Sequence, residues 1–176
     1  MTLEHKFCTF GGDVTVTDGS VISGYASLFG KSDRGGDIVE TGAYAACLSR
    51  GRKVKMLWQH DPSQPIGVWD EVREDGKGLW VKGRLLTDVA RGREAASLIA
   101  AGAVDGLSIG YRTVKARKDD KGGRLLSELE LWEVSLVTFP MLPDARVAAK
   151  GDDPAASLMR DLAAAFQGAR QVMARN

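Results

Sequence analysis

Ser108 lies between two glycines in Gly106-Leu107-Ser108-Ile109-Gly110-Tyr111, and His60 closes Leu57-Trp58-Gln59-His60 just before Asp61-Pro62. A serine hydroxyl is a weak nucleophile until a base takes its proton, and a neutral imidazole is well suited to that task near pH 7. The chain holds only two histidines, His5 and His60. His5 falls in a terminus expected to fray, whereas His60 ends a patterned segment, which makes His60 the candidate base and Ser108 the candidate nucleophile. The glycines at 106 and 110 are expected to remove side chains that would crowd a substrate. A GxSxG run alone is a weak signal, and this one continues as a strand instead of turning into a helix as the nucleophile elbow of α/β-hydrolases does. Taken singly, each residue also has a plainer reading: a structural serine on a crowded strand, and a strand-end histidine bonded to backbone groups.

A third group is needed to hold the imidazole tautomer and stabilise its charge. Glu133, in Leu131-Trp132-Glu133-Val134-Ser135-Leu136-Val137, is a carboxylate inside an apolar run, and buried carboxylates rarely go unpaired. Glu128 and Glu130 compete but sit nearer a polar loop. Asp61 adjoins the histidine and would face away from it if the strand continued. Two histidines, one of them near the terminus, cannot supply a usual catalytic zinc set, so no metal or other cofactor is expected. No P-loop, dinucleotide fingerprint, or interleaving of basic and aromatic residues is present, and no nucleic-acid partner is expected.

The elements that must position these groups come from patterning. Ser20–Phe29 reads as a strand. Lys53–His60 alternates, with Val54, Met56, Trp58 and His60 on one face. Ile66–Arg73 and Gly78–Leu86 form a predicted hairpin, with Asp75-Gly76 supplying the positive φ angles of a tight turn. Leu107–Ala116 and Leu125–Thr138 form another, whose charged tip over 115–121 is a solvated loop. Thr41 is placed to cap a short helix running to Leu48 and closed near Gly51, and Asp88 to cap one ending before Gly102. This order predicts a mainly antiparallel, barrel-like sheet with helices packed outside.

Composition bounds the rest. A chain of 176 residues fits one domain with a tail, and 44% hydrophobic and 27% charged residues are ordinary for a globular protein. The net charge of +1 gives no bulk attraction to nucleic acid or an anionic membrane. Cys8 and Cys47 are too few for a disulfide framework, so reduced, structural thiols are expected. No signal-type core opens the chain and no run approaches the roughly 18 apolar residues of a membrane span, which predicts a cytoplasmic protein. After Pro140 the texture changes. The expected division is a barrel domain over 1–150 and a linker with a helical tail over 151–176, where Leu158, Leu162, Ala165, Phe166 and Ala169 fall at helical spacing. Periodicity does not choose between a tail that packs on the barrel, binds a partner or is removed.

Gly24-Tyr25-Ala26-Ser27-Leu28-Phe29 with Asp37, Leu57-Trp58-Gln59-His60-Asp61 with Pro65-Ile66-Gly67, the Gly106–Tyr111 run and Trp132–Val137 occur in an order that resembles the tailed-phage prohead maturation proteases, over roughly residues 20–148. The resemblance implies an α+β, mainly β fold like that of herpesvirus assemblin: a closed, mostly antiparallel β-barrel wrapped by helices. It implies a serine endopeptidase with Ser108 as nucleophile and His60 as base, and Glu133 lies where assemblins use a second histidine. Arg146, after Pro143-Asp144, is the counterpart of an oxyanion-loop arginine. The implied substrate is the scaffolding segment or N-terminal extension of the major capsid protein, cut inside the immature head in the host bacterial cytoplasm, followed by self-cleavage. A homodimer is the default homo-oligomer, with no interface legible. The competing expectation is a catalytically silent barrel that templates head assembly through its Ala-rich tail. A small-molecule esterase is disfavoured because no oxyanion glycine run or lid-like segment is evident.

Overall fold

The computed structural model describes residues 4–8, 14–17, 20–33, 35–119, 122–139 and 147–148; for 4–8, 14–17 and 147–148 it gives the backbone path alone. Among the described residues, ten strands and two helices occur in the order β1 (Glu4–Cys8), β2 (Val14–Thr17), β3 (Val21–Leu28), β4 (Asp37–Val39), α1 (Ala45–Ser49), β5 (Lys55–Trp58), β6 (Asp61–Glu74), β7 (Gly78–Leu85), α2 (Ala90–Ala100), β8 (Gly106–Lys118), β9 (Arg124–Val137) and β10 (Val147–Ala148). All ten strands belong to one sheet, paired in the order β1-β8-β9-β5-β6-β7-β3-β2-β10, with β4 on β9 off this path. The fold is mainly β, as expected.

The sheet is an open, curled half-barrel, not the closed barrel that was expected. Its ladder runs from β1 at one end to β10 at the other, and among the described residues no ladder joins the two ends. Most pairings are antiparallel, but three are parallel: β10 with β2, β4 with β9 and β5 with β9. The β5–β9 pairing matters most for the site, because it sets Leu57 opposite Ser135 and Trp58 opposite Leu136.

The core is built from the apolar alternation of the strands. Ile22, Ala26, Met56, Ile66, Leu79, Val81, Ile109, Leu129, Leu131, Val134 and Leu136 are all buried in one cluster, into which α1 sends Cys47 and α2 sends Ala95 and Ile99. Fully burying such a side chain is worth about 1.5–3 kcal/mol, and this cluster is the main force that holds the curl. Both helices stand where patterning puts them, with different starts. In α2 the N-cap is Val89, without a side-chain cap bond, so Asp88 does not serve as the expected cap. In α1 the N-cap is Tyr44, also without a side-chain cap bond, so Thr41 does not serve as the expected cap; the turn before the helix is held instead by the Glu74 carboxylate, which accepts from the N–H of Gly42 and, at 3.1 Å, of Tyr44.

Both predicted hairpins form. β8 and β9 are buried at the end that carries Gly106–Tyr111 and exposed toward the loop, where Arg112, Lys115 and Arg117 pair with Glu130, Glu128 and Glu40. Cys47 is buried and its thiol donates to the Tyr44 carbonyl at 3.1 Å, while burial pushes its pKa up, so it is an inert packing residue. The side chain of Cys8 and the expected helical tail over 151–176 lie outside the described residues.

Candidate active site

Three adjacent strands carry the chemistry. In the β8–β9 ladder Ser108 stands opposite Ser135 and Gly110 opposite Glu133. Because side chains alternate along a strand, Ser108 and Gly110 share one face of β8, and Glu133 and Ser135 share the matching face of β9. β5 flanks β9 on its other side but ends at Trp58. His60 is therefore not a strand residue, as the alternation of 53–60 suggests. It sits in the two-residue turn between β5 and β6, and both turn residues have left-handed backbones, Gln59 with φ 51° and His60 with φ 63°.

That turn carries the imidazole back over β9. Its Nε2 lies 2.6 Å from Ser108 Oγ and its Nδ1 lies 2.5 Å from Glu133 Oε1. A carboxylate only accepts, so Nδ1 carries the ring proton and Nε2 presents its lone pair to the serine hydroxyl. Ser108 and Glu133 are buried, and the His60 side chain keeps 11% of its surface exposed. A hydroxyl, an imidazole and a carboxylate joined in this order can pass a proton from serine to ring and hold the cation that results.

The structure thus brings together His60, Ser108 and Glu133. The competing carboxylates are engaged elsewhere: Glu130 with Arg52 and Arg112, Glu128 with Lys115, and Asp61 with the backbone N–H and hydroxyl of Ser63. Asp61 has its pKa lowered chiefly by the Ser63 hydroxyl. Arg146 lies outside the described residues. His5 is in β1, opposite Gly110 in register.

Gly110 has a different task from the one expected of it. A Cβ there would stand against Glu133, 2.7 Å from its carboxyl carbon and 2.9 Å from Cγ. The missing side chain makes room for the carboxylate. Sequence patterning missed Ser135, whose Oγ donates to Glu133 Oε2 at 2.6 Å and accepts the backbone N–H of His60 at 3.2 Å. The available signal was its place two residues beyond Glu133, on the same strand face.

A buried serine–histidine–carboxylate line on a curled, mainly β sheet defines the class to which the comparisons point. The chain belongs to the caudovirus prohead serine protease family, whose profile matches residues 12–158. It is 34% identical over 149 residues to the prohead protease of Enterobacteria phage HK97, covering 81% of this chain and 65% of that one. To the prohead protease of Escherichia phage T5 it is 29% identical over 130 residues, covering 70% and 60%. The chain thus spans somewhat under two thirds of the length of these relatives. Among solved structures, the bacteriophage T4 capsid assembly protease shares the fold, with a TM-score of 0.65 at 17% identity over 78% of this chain and 98% of that one.

Proposed function

We propose that this chain is a serine endopeptidase of head maturation, which cuts the scaffolding segment of a major capsid protein, and then itself, inside the immature head in the host cytoplasm. The observation that carries the reading is the hydrogen-bonded line Ser108–His60–Glu133 in a member of this protease family. The relatives from HK97 and T5, both prohead proteases, support the choice of substrate class.

In the proposed reaction His60 Nε2 removes the Ser108 proton as Oγ attacks the scissile carbonyl. Glu133 holds the ring tautomer and stabilises the imidazolium, which then protonates the leaving amine; water repeats the cycle on the acyl-enzyme. The oxyanion requires donors aimed at the developing charge, each worth about 3 kcal/mol in comparable sites. Arg146 is assigned to that task on the family resemblance alone.

Intact-mass spectrometry of the capsid protein, co-expressed with wild type or with Ser108→Ala, tests this. Trimming at one discrete site by wild type only is the expected result. Full-length capsid protein in assembled heads from both samples would favour a silent assembly role, and equal trimming by both would mean that Ser108 is not the nucleophile.

A further inference from the structure

We infer that Ser135 is a positioning residue for the His60 imidazole; the inference rests on reading Ser108, His60 and Glu133 as the proton-transfer line. Its hydroxyl is fully buried and makes two bonds that bear on the same ring from opposite ends. The O–H donates to Glu133 Oε2 at 2.6 Å, and the oxygen accepts the His60 backbone N–H at 3.2 Å. One hydroxyl offers one proton and two lone pairs, so both bonds coexist.

Each bond removes a freedom that would misplace the ring. A glutamate carboxyl on a flexible side chain can turn about its terminal bond. With Oε2 held by Ser135 and the space beneath kept clear by Gly110, Oε1 is left facing Nδ1 at 2.5 Å. The second bond acts on the backbone. His60 follows Gln59 in a left-handed turn that non-glycine residues adopt only when their surroundings hold them there. Gln59 is held by its N–H on the Leu136 carbonyl, and His60 by its N–H on Ser135. Ser135 also stands in β9 between the strand of the nucleophile and the strand that leads to the histidine, opposite Ser108 on one side and Leu57 on the other. It ties the carboxylate and the histidine backbone to one point.

The test is Ser135→Ala in the full chain, with two readouts that a merely structural hydroxyl would not move. The first is kcat and KM on a capsid-derived peptide. The second is the far-downfield proton resonance of a histidine ring N–H bonded to a carboxylate, recorded on resting protein and identified as the signal that His60→Gln removes. We expect kcat to fall about 10- to 100-fold with KM nearly unchanged, as for a small misplacement of a reacting group, and the resonance to broaden or vanish. If the alanine variant does not fold, Ser135→Cys, close in size and a weak donor, takes the same two measurements. Either readout unmoved overturns the inference. The resonance needs no turnover, so it reports on the hold over Glu133 and His60 even if Ser108→Ala still cleaves and the proposed nucleophile falls.

Discussion

At the residue scale the site depends on absent atoms as much as on present ones. Gly110→Ala places a methyl against the buried Glu133 side chain, which can clear it only by leaving His60 and giving up part of the carboxylate's pairing. The expected result is a folded protein whose thermal midpoint falls, since a buried carboxylate loses partners, and whose kcat drops about 100-fold. The same substitution made on Glu133→Ala, where no carboxylate is left to displace, should cost little more, so the two changes should be strongly non-additive in a kinetic double-mutant cycle. Additive losses would mean that Gly110 acts on the substrate instead. Ser108, His60 and Glu133 were legible because a carboxylate in an apolar run, a serine in a strand and one well-placed histidine each need a partner. The role of Gly110 was not legible, because the atom it makes room for lies on a strand that only the β8–β9 register places beneath it.

At the scale of elements, the β6–β7 hairpin was predicted from Asp75-Gly76 and forms, by a different device. Neither residue takes a positive φ. Instead the Asp75 carboxylate accepts the N–H groups of Lys77 at 2.8 Å and Gly78 at 3.1 Å, the Tyr25 hydroxyl at 2.9 Å and the Arg73 guanidinium at 2.7 Å. Burial by itself would push this carboxyl up, but these donors outweigh it and hold it at about 2, against an ordinary 3.8. A carboxylate with a lowered folded-state pKa stabilises the protein fully above its unfolded value, and that contribution fades as pH falls through about 4 to about 2. Asp75→Asn should therefore lower stability at pH 7 by about 1–2 kcal/mol, allowing for partial exposure, and wild type and variant should converge near pH 2 in urea melts. An equal gap at both pH values would refute the assignment. The turn at Gln59-His60 was hidden for a related reason. Gln59 carries no signal for a left-handed backbone and a lone histidine carries little, and the bonds that hold the turn come from Ser135, Leu136 and Thr138.

At the scale of the molecule, the parallel seat of β5 on β9 is what sequence patterning could least supply, since nothing local encodes a pairing between segments so far apart along the chain. Every described core side chain lies between Ile22 and Val137, and the nucleophile, base and carboxylate are all held by β8, β9 and the β5–β6 turn within that span. Buried apolar area is the dominant favourable term in folding, so a tail that packs on this core and a tail that only recruits differ in what a chain ending at residue 150 keeps. If the tail serves recruitment alone, deleting residues 151–176 should leave the denaturant midpoint and slope of wild type unchanged and cleavage of a free capsid-derived peptide within about twofold. Trimming of capsid protein inside co-assembled heads should be lost if the tail delivers the enzyme there. A truncated chain that fails to fold would place the tail within the core. One that folds and still trims in heads would leave the tail no part in delivery, and its apolar stripe would then need another explanation. Measuring stability, peptide cleavage and in-head trimming on the one truncated protein separates these outcomes, because packing, chemistry and recruitment each fail in only one combination.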